Sequence, residues 1–227
     1  MTHPSSSAVD RKAMRSGFRL DLGRCVGCGA CALACRIENG LPPGVSWRRV
    51  LQVNESRVGG GPTYHLSVAC HHCENPPCAR ACPSGALGKQ DSGLVLLDPD
   101  RCLGCRYCEM ACTFGAPSFD AGSGLMTKCH LCSHRLDQGE APACVVACPT
   151  KALDFSFPDG GEGAAEEGEG PGADPFIPAV DSPGFLDPSG AGPGFWVAPP
   201  LGGIREEWFA RLLKLMGGER EGADEES

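Results

Sequence analysis

Cys102-Leu-Gly-Cys105-Arg-Tyr-Cys108-Glu-Met-Ala-Cys112 is the stretch that decides the fold of this chain. Two residues separate each of its first three cysteines, and three residues separate the third from the fourth. The short spacings let a tight loop wrap a compact object and offer it three thiolates. The fourth cysteine, about one helical turn further on, has turned away and is better placed for a neighbouring object. The same run recurs as Cys25-x2-Cys28-x2-Cys31-x3-Cys35. Two looser versions are Cys70-x2-Cys73-x4-Cys78-x3-Cys82-Pro83 and Cys129-x2-Cys132-x11-Cys144-x3-Cys148-Pro149. Numbered I to IV in chain order, the four groups use all 16 cysteines of the 227 residues.

This chemistry points to iron–sulfur clusters. C-x2-C-x2-C-x3-C is the bacterial ferredoxin run, whose fourth cysteine ligates the other cluster in two-cluster proteins. Disulfides would also use an even number of cysteines, but repeated x2 spacings suit chelation better than cross-linking. A zinc site takes separated C-x2-C pairs, so a third thiolate at another x2 step is surplus. Gly27, Gly29 and Gly104 lie inside the loops, where a missing side chain lets backbone N–H groups approach the sulfides. Pro83 and Pro149 follow the last cysteines of groups II and IV, whereas Arg36 and Thr113 stand there in groups I and III. That difference is expected to shift local geometry or potential, not to abolish binding.

The rest of the composition agrees. Aromatic residues make up 6%, and the cysteines supply part of the 41% hydrophobic fraction, so the ordinary apolar core is thin and metal–thiolate bonds must help hold the chain. Residues 1–155 carry 16 basic and 13 acidic side chains, a balance of +3; residues 156–227 carry 4 and 15, a balance of −11. A slight basic excess around anionic clusters is what electrostatics favours. No basic stripe or aromatic platform suggests nucleic acid. No secretory leader is expected in residues 1–16, and Arg48-Arg49 has no apolar run after it to make a twin-arginine signal. The longest aliphatic run, Leu94–Leu97, falls far short of the ~20 residues that span a bilayer.

Along the chain we expect an N-terminal arm (1–17), a four-cluster domain (18–155), a Gly/Pro/acidic linker or arm (156–203), an amphipathic helix (204–217) and an acidic tail (218–227). Ile204, Trp208, Phe209, Leu212, Leu213 and Met216 form the apolar stripe of that helix, read as packing on this chain or its partner. Short β-prone runs, Phe18–Leu22, His65–Val68, Leu94–Leu97 and Leu125–Thr127, precede the four groups, and a helical turn or two follows each. Gly59-Gly-Gly-Pro62 reads as a turn, with no Lys-Ser/Thr to make it a phosphate loop.

Over residues 18–155 the chain resembles the iron–sulfur subunits of dimethyl sulfoxide reductase-like molybdopterin oxidoreductases. The resemblance rests on Cys70-His-His-Cys-Glu-Asn-Pro-Pro-Cys-Ala-Arg-Ala-Cys-Pro-Ser-Gly-Ala, Asp100-Arg-Cys-Leu-Gly-Cys-Arg-Tyr-Cys-Glu-Met-Ala-Cys, Met126-Thr-Lys-Cys-His-Leu-Cys and Gly139-Glu-Ala-Pro-Ala-Cys-Val-Val-Ala-Cys-Pro-Thr-Lys-Ala-Leu-Asp-Phe155. It implies an α+β fold of two ferredoxin-like units, one from groups I and IV and one from groups II and III. Four 4Fe–4S clusters would be held by Cys25/Cys28/Cys31/Cys148, Cys129/Cys132/Cys144/Cys35, Cys70/Cys73/Cys78/Cys112 and Cys102/Cys105/Cys108/Cys82. Some relatives lose a cysteine of the third group and hold a 3Fe–4S cluster; Cys105 and its neighbours are all present here. The resemblance further implies that the chain is no enzyme by itself. It would relay electrons from a quinol-oxidising membrane-anchor subunit to a molybdopterin (bisMGD) catalytic subunit. It would meet the membrane through those partners, on a side the sequence does not fix.

Alternatives within the class are a partner acting on formate, polysulfide, thiosulfate or arsenate; outside it stand a self-standing polyferredoxin and a zinc scaffold. His71 and His72 read as hydrogen-bonding or surface histidines. Arg106 and Lys128 read either as tuning a cluster or meeting a partner, or as ordinary solvated or ion-paired cations.

Overall fold

The computed structural model describes residues 17–53, 63–156, 177–178 and 194–198. The helix expected over 204–217, the acidic tail, the arm before Gly17 and the Gly59–Pro62 turn lie outside the described residues, as does most of 156–203. All four β-prone runs are strands: β1 (Gly17–Asp21), β3 (Tyr64–Val68), β5 (Val95–Leu97) and β7 (Leu125–Thr127). Each leads into a cysteine loop and then a short helix. Group I continues into α1 (Ala30–Glu38), group II into α2 (Pro77–Arg80) and group III into α3 (Tyr107–Ala111). Group IV carries two, α4 (Ser133–Leu136) after its second cysteine and α5 (Ala143–Val146) at its third. The remaining strands are β2 (Arg49–Val53), β4 (Leu87–Lys89), β6 (Ser118–Asp120), β8 (Leu153–Ser156), β9 (Ile177–Pro178) and β10 (Phe195–Ala198).

The pairing is nested. β1, which precedes group I, pairs antiparallel with β8, which follows group IV. β4, after group II, pairs antiparallel with β5, before group III. Hairpins β2–β3 and β6–β7 bridge the two levels. The helices follow the same scheme: α1 packs on α5, and α2 on α3. On β1, Phe18 and Leu20 are buried while Arg19 and Asp21 are half-buried, the alternation of a strand with one face inward. Phe18 lies opposite Phe155 of β8 with ring centroids 5.8 Å apart, edge to face. Within the segment read as a linker or arm, β10 joins β1 in parallel and β9 pairs with β10, completing a four-stranded sheet in the order β8-β1-β10-β9. Phe195 of β10 is buried in the same core as Phe18, Leu20 and Phe155. The second core is much smaller: Leu87, Val95 and Met126 with the sulfurs of Cys78 and Cys108.

The two levels are stitched together by polar contacts from the segment after α1. Trp47 Nε1 donates to Thr127 Oγ1 at 3.0 Å, and Arg49 donates to the carbonyls of Phe114 and Gly115 at 3.2 and 2.9 Å. None of the described helices is long and apolar enough to cross a membrane.

Candidate metal centres

All sixteen cysteines lie within the described residues, and none is in a disulfide. In every group the residue just before the second cysteine has a left-handed backbone: Gly27 (φ 70°), His72 (φ 44°), Gly104 (φ 65°) and Leu131 (φ 58°). This shared step gives the loop its curl. A Cβ added at Gly27 would meet the His65 ring, and one added at Gly104 would collide with the Gly124 carbonyl. His72 and Leu131 adopt a conformation that costs other residues of order 1–3 kcal/mol, the kind of strain found at ligand clamps.

The folded chain collects cysteines from different groups. One cavity is lined by Cys25, Cys28 and Cys31 of group I together with Cys148 of group IV. Another is lined by Cys70, Cys73 and Cys78 of group II together with Cys112 of group III. Electrostatic neighbours extend the pattern: Cys35 has Cys144 and Cys132 beside it, and Cys108 has Cys82, Cys102 and Cys105. Electrostatic neighbours also run between these collections. Cys31 neighbours Cys35 and Cys144, Cys70 neighbours Cys129, and Cys78 neighbours Cys108. Among the described residues no three His, Cys, Asp or Glu side chains converge as a single metal ion requires.

Burial controls the thiols' acidity. It pushes Cys35, Cys73 and Cys78 up to about 12, and neighbouring sulfurs push them the same way. Such thiols stay protonated alone and become thiolates only against a strong local positive charge, which an iron–sulfur core supplies. Cys82 and Cys148 behave oppositely. Burial still raises them, but the N–H groups of Leu87 and Leu153 and the hydroxyls of Ser84 and Thr150 outweigh it and hold both below an ordinary thiol. These are the two cysteines followed by proline. The turn after each aims hydrogen-bond donors at its sulfur, for example Leu153 N–H at 3.4 Å from Cys148 Sγ. In group III, where Thr113 replaces proline, Ala116 N–H reaches Cys112 Sγ at 3.4 Å.

Two cations are buried among the sulfurs. Lys128 Nζ donates to the carbonyls of Val95 and Cys129, with Cys78 and Cys129 as charge neighbours. Arg48 is only 2% exposed, and its neighbours are Cys144, Cys129, Cys31 and Cys35. Its Nε and Nη2 find no oxygen or nitrogen partner among the described residues. A deeply buried guanidinium among thiols is costly beside neutral sulfur and well placed beside an anionic thiolate cluster, so the donor set fits that group. Nothing in the sequence distinguished Arg48 from Arg49; one points into the core and the other to the surface.

His71 and His72 are both buried, which removes the surface alternative. His72 Nδ1 accepts from Val95 N–H at 2.9 Å, and the His71 ring stacks on Phe195 at 4.9 Å. Arg106 is exposed and paired with Glu109 at 2.7 Å, the ion-paired reading. Cys28 and Cys105, at equivalent places in groups I and III, are both exposed. The same two groups carry exposed apolar side chains, Val26 (61%) and Leu33 (59%) in the first, Leu103 (69%) and Met110 (74%) in the third.

Residues 62–157 match the family described as the 4Fe–4S dicluster domain. Over 147 residues the chain is 45% identical to an anaerobic dimethyl sulfoxide reductase chain of Escherichia coli, covering 61% of this chain and 72% of the relative. The protein belongs to this family of iron–sulfur subunits. Other members include a putative dimethyl sulfoxide reductase iron–sulfur subunit of Halobacterium salinarum, 34% identical over 207 residues (78% of this chain, 76% of the relative). A thiosulfate reductase electron transfer subunit of Salmonella typhi is 40% identical over 146 residues (63% and 76%). As a member of the family, the chain carries multiple 4Fe–4S clusters on its cysteines and serves electron transfer.

Proposed function

We propose that the sixteen cysteines hold four 4Fe–4S clusters, in the sets Cys25/Cys28/Cys31/Cys148, Cys129/Cys132/Cys144/Cys35, Cys70/Cys73/Cys78/Cys112 and Cys102/Cys105/Cys108/Cys82. The observation that carries this is the make-up of the two cavities, each lined by three cysteines of one group and the fourth of a remote group. The bound clusters supply one-electron redox chemistry; the chain fixes their spacing, screens them from water and sets the field around them. The contacts Cys31 to Cys144, Cys70 to Cys129 and Cys78 to Cys108 support a single file with groups I and III at its ends. Groups I and III both carry exposed apolar side chains, as surfaces that dock a partner do.

The chain is then the wire between a quinol-oxidising membrane-anchor subunit and a molybdopterin catalytic subunit of dimethyl sulfoxide reductase type. Its greater identity to the dimethyl sulfoxide reductase chain than to the thiosulfate reductase subunit supports the choice of partner. The cluster domain then spans 18–155, with a C-terminal arm whose β9 and β10 join its sheet.

The test is anaerobic purification of a tagged chain from membranes, with metal analysis and identification of what co-purifies. The expected result is about sixteen iron and sixteen sulfide per chain, as four cubes require. A molybdenum-containing large subunit that reduces dimethyl sulfoxide is expected with it. Iron near half that amount, or a chain isolated alone, would contradict the proposal.

A further inference from the structure

We propose that Arg48 is a positioning residue for electron transfer: its guanidinium, buried between the sulfurs of groups I and IV, raises the reduction potentials of the two clusters held there. The inference rests on the ligand sets proposed above. Arg48 is among the largest fully buried side chains of the protein. Its Nη1 donates to Ser67 Oγ at 2.9 Å, and that hydroxyl lies 3.3 Å from Cys31 Sγ. The guanidinium carbon sits 4.0 Å above the centre of the Phe18 ring, which fixes its plane. No carboxylate pairs with it among the described residues, and the sulfurs around it are Cys31 of the first set and Cys35, Cys129 and Cys144 of the second.

A charge held this deep without a carboxylate is tolerated only against another anion. The thiolate clusters are the anions at hand, and each becomes more negative by one charge when it accepts an electron. A fixed cation in a poorly screened interior therefore favours the reduced form of both. Always charged, guanidinium keeps this bias at every working pH. At the other end of the file, the charge neighbours given for Cys108 are the sulfurs of Cys82, Cys102 and Cys105 and not Arg48, so the cluster of group III is an internal reference.

The experiment is an anaerobic redox titration, read by electron paramagnetic resonance, on the full complex carrying Arg48→Gln, Arg48→Lys or Ser67→Ala. Signals are assigned by which of Cys25→Ser, Cys132→Ser and Cys105→Ser perturbs them. Arg48→Gln is expected to lower the equilibrium constant for one-electron reduction about tenfold, or about 59 mV, for the signals tied to Cys25 and Cys132. The signal tied to Cys105 stays put, and Arg48→Lys recovers most of the shift. Ser67→Ala, which frees the guanidinium from its anchor, shifts the Cys25 signal in the same direction by less. Unchanged potentials in an iron-replete Arg48→Gln complex would overturn the inference. So would an equal shift at all signals, or an Arg48→Lys complex as displaced as Arg48→Gln. If Arg48→Gln fails to retain iron, Ser67→Ala decides: a downward shift supports the inference and none overturns it. Failure of the ligand sets has its own sign, Cys25→Ser and Cys148→Ser perturbing different signals in a chain with Arg48 intact.

Discussion

The half built from groups I and IV and the half built from groups II and III share a ligand loop but not an interior. In the first, Phe18, Leu20, Phe155, Phe195 and Val197 make an apolar core beneath a four-stranded sheet. In the second, Leu87, Val95 and Met126 lean on two cysteine sulfurs, and hairpins β4–β5 and β6–β7 have strands of three residues. The same loop is thus held in one half by burial of apolar surface and in the other largely by its metal. The outer rims are alike, with Cys28 and Cys105 both exposed, so the difference belongs to the folding of the halves and not to their access.

The two halves should differ most when the iron is taken away. On anaerobic chelation, amide protection in β4–β5 and β6–β7 is expected to collapse while β1–β8 keeps a measurable share. Equal loss, followed by hydrogen exchange, would mean that both halves depend on metal alone. The next largest effect comes from the core that only one half has. Phe155→Ala should cost about 3–5 kcal/mol in denaturant unfolding of the cluster-loaded chain. A cost under about 1 kcal/mol would show that the aromatic core does not hold that half.

The equivalent glycines sharpen the contrast. Gly104→Ala and Gly27→Ala both force a left-handed residue, at about 1–2 kcal/mol each. At Gly104 the obstacle is a backbone carbonyl, whereas at Gly27 it is the His65 ring, which can turn aside. Gly104→Ala should therefore lose more iron on gel filtration than Gly27→Ala. The smallest effect is at Glu38, which joins α1 to α4 through His134 at 2.8 Å and Arg135 at 3.5 Å. The His134 hydrogen bond, with help from Arg135, holds the Glu38 carboxyl below its usual range. A depressed carboxyl stabilises the fold above its unfolded pKa of ~4.3 and loses that contribution as pH falls. On this exposed pair Glu38→Gln should lower Tm only slightly at neutral pH, with the difference from wild type vanishing in acid.

Much of this was legible in the cysteines. Their spacing announced the loops, the short helices that follow and the chemistry, and the β-prone runs before them proved to be strands. What stayed hidden depends on contacts between distant segments. The partner strands β2, β4, β6 and β8 are short and lack a strong alternation of their own, so only pairing reveals them. Phe195 sits in a Gly/Pro-rich stretch whose composition masks its place beside Phe18. Leu131 and His72 take the left-handed step that glycine advertises in groups I and III; leucine gives no sign of it, and histidine only a mild enrichment. Arg48 is hidden for the same reason: next to Arg49, only tertiary burial separates a core cation from a surface one.

If clusters are shared between segments far apart in the sequence, cysteines of one cluster must perturb one and the same paramagnetic signal, whatever its assignment. In the anaerobic complex, Cys148→Ser should perturb the same paramagnetic signal as Cys25→Ser and leave untouched the one perturbed by Cys144→Ser. A Cys148→Ser variant that alters the Cys144 signal instead would place all of group IV on one cluster and contradict the account.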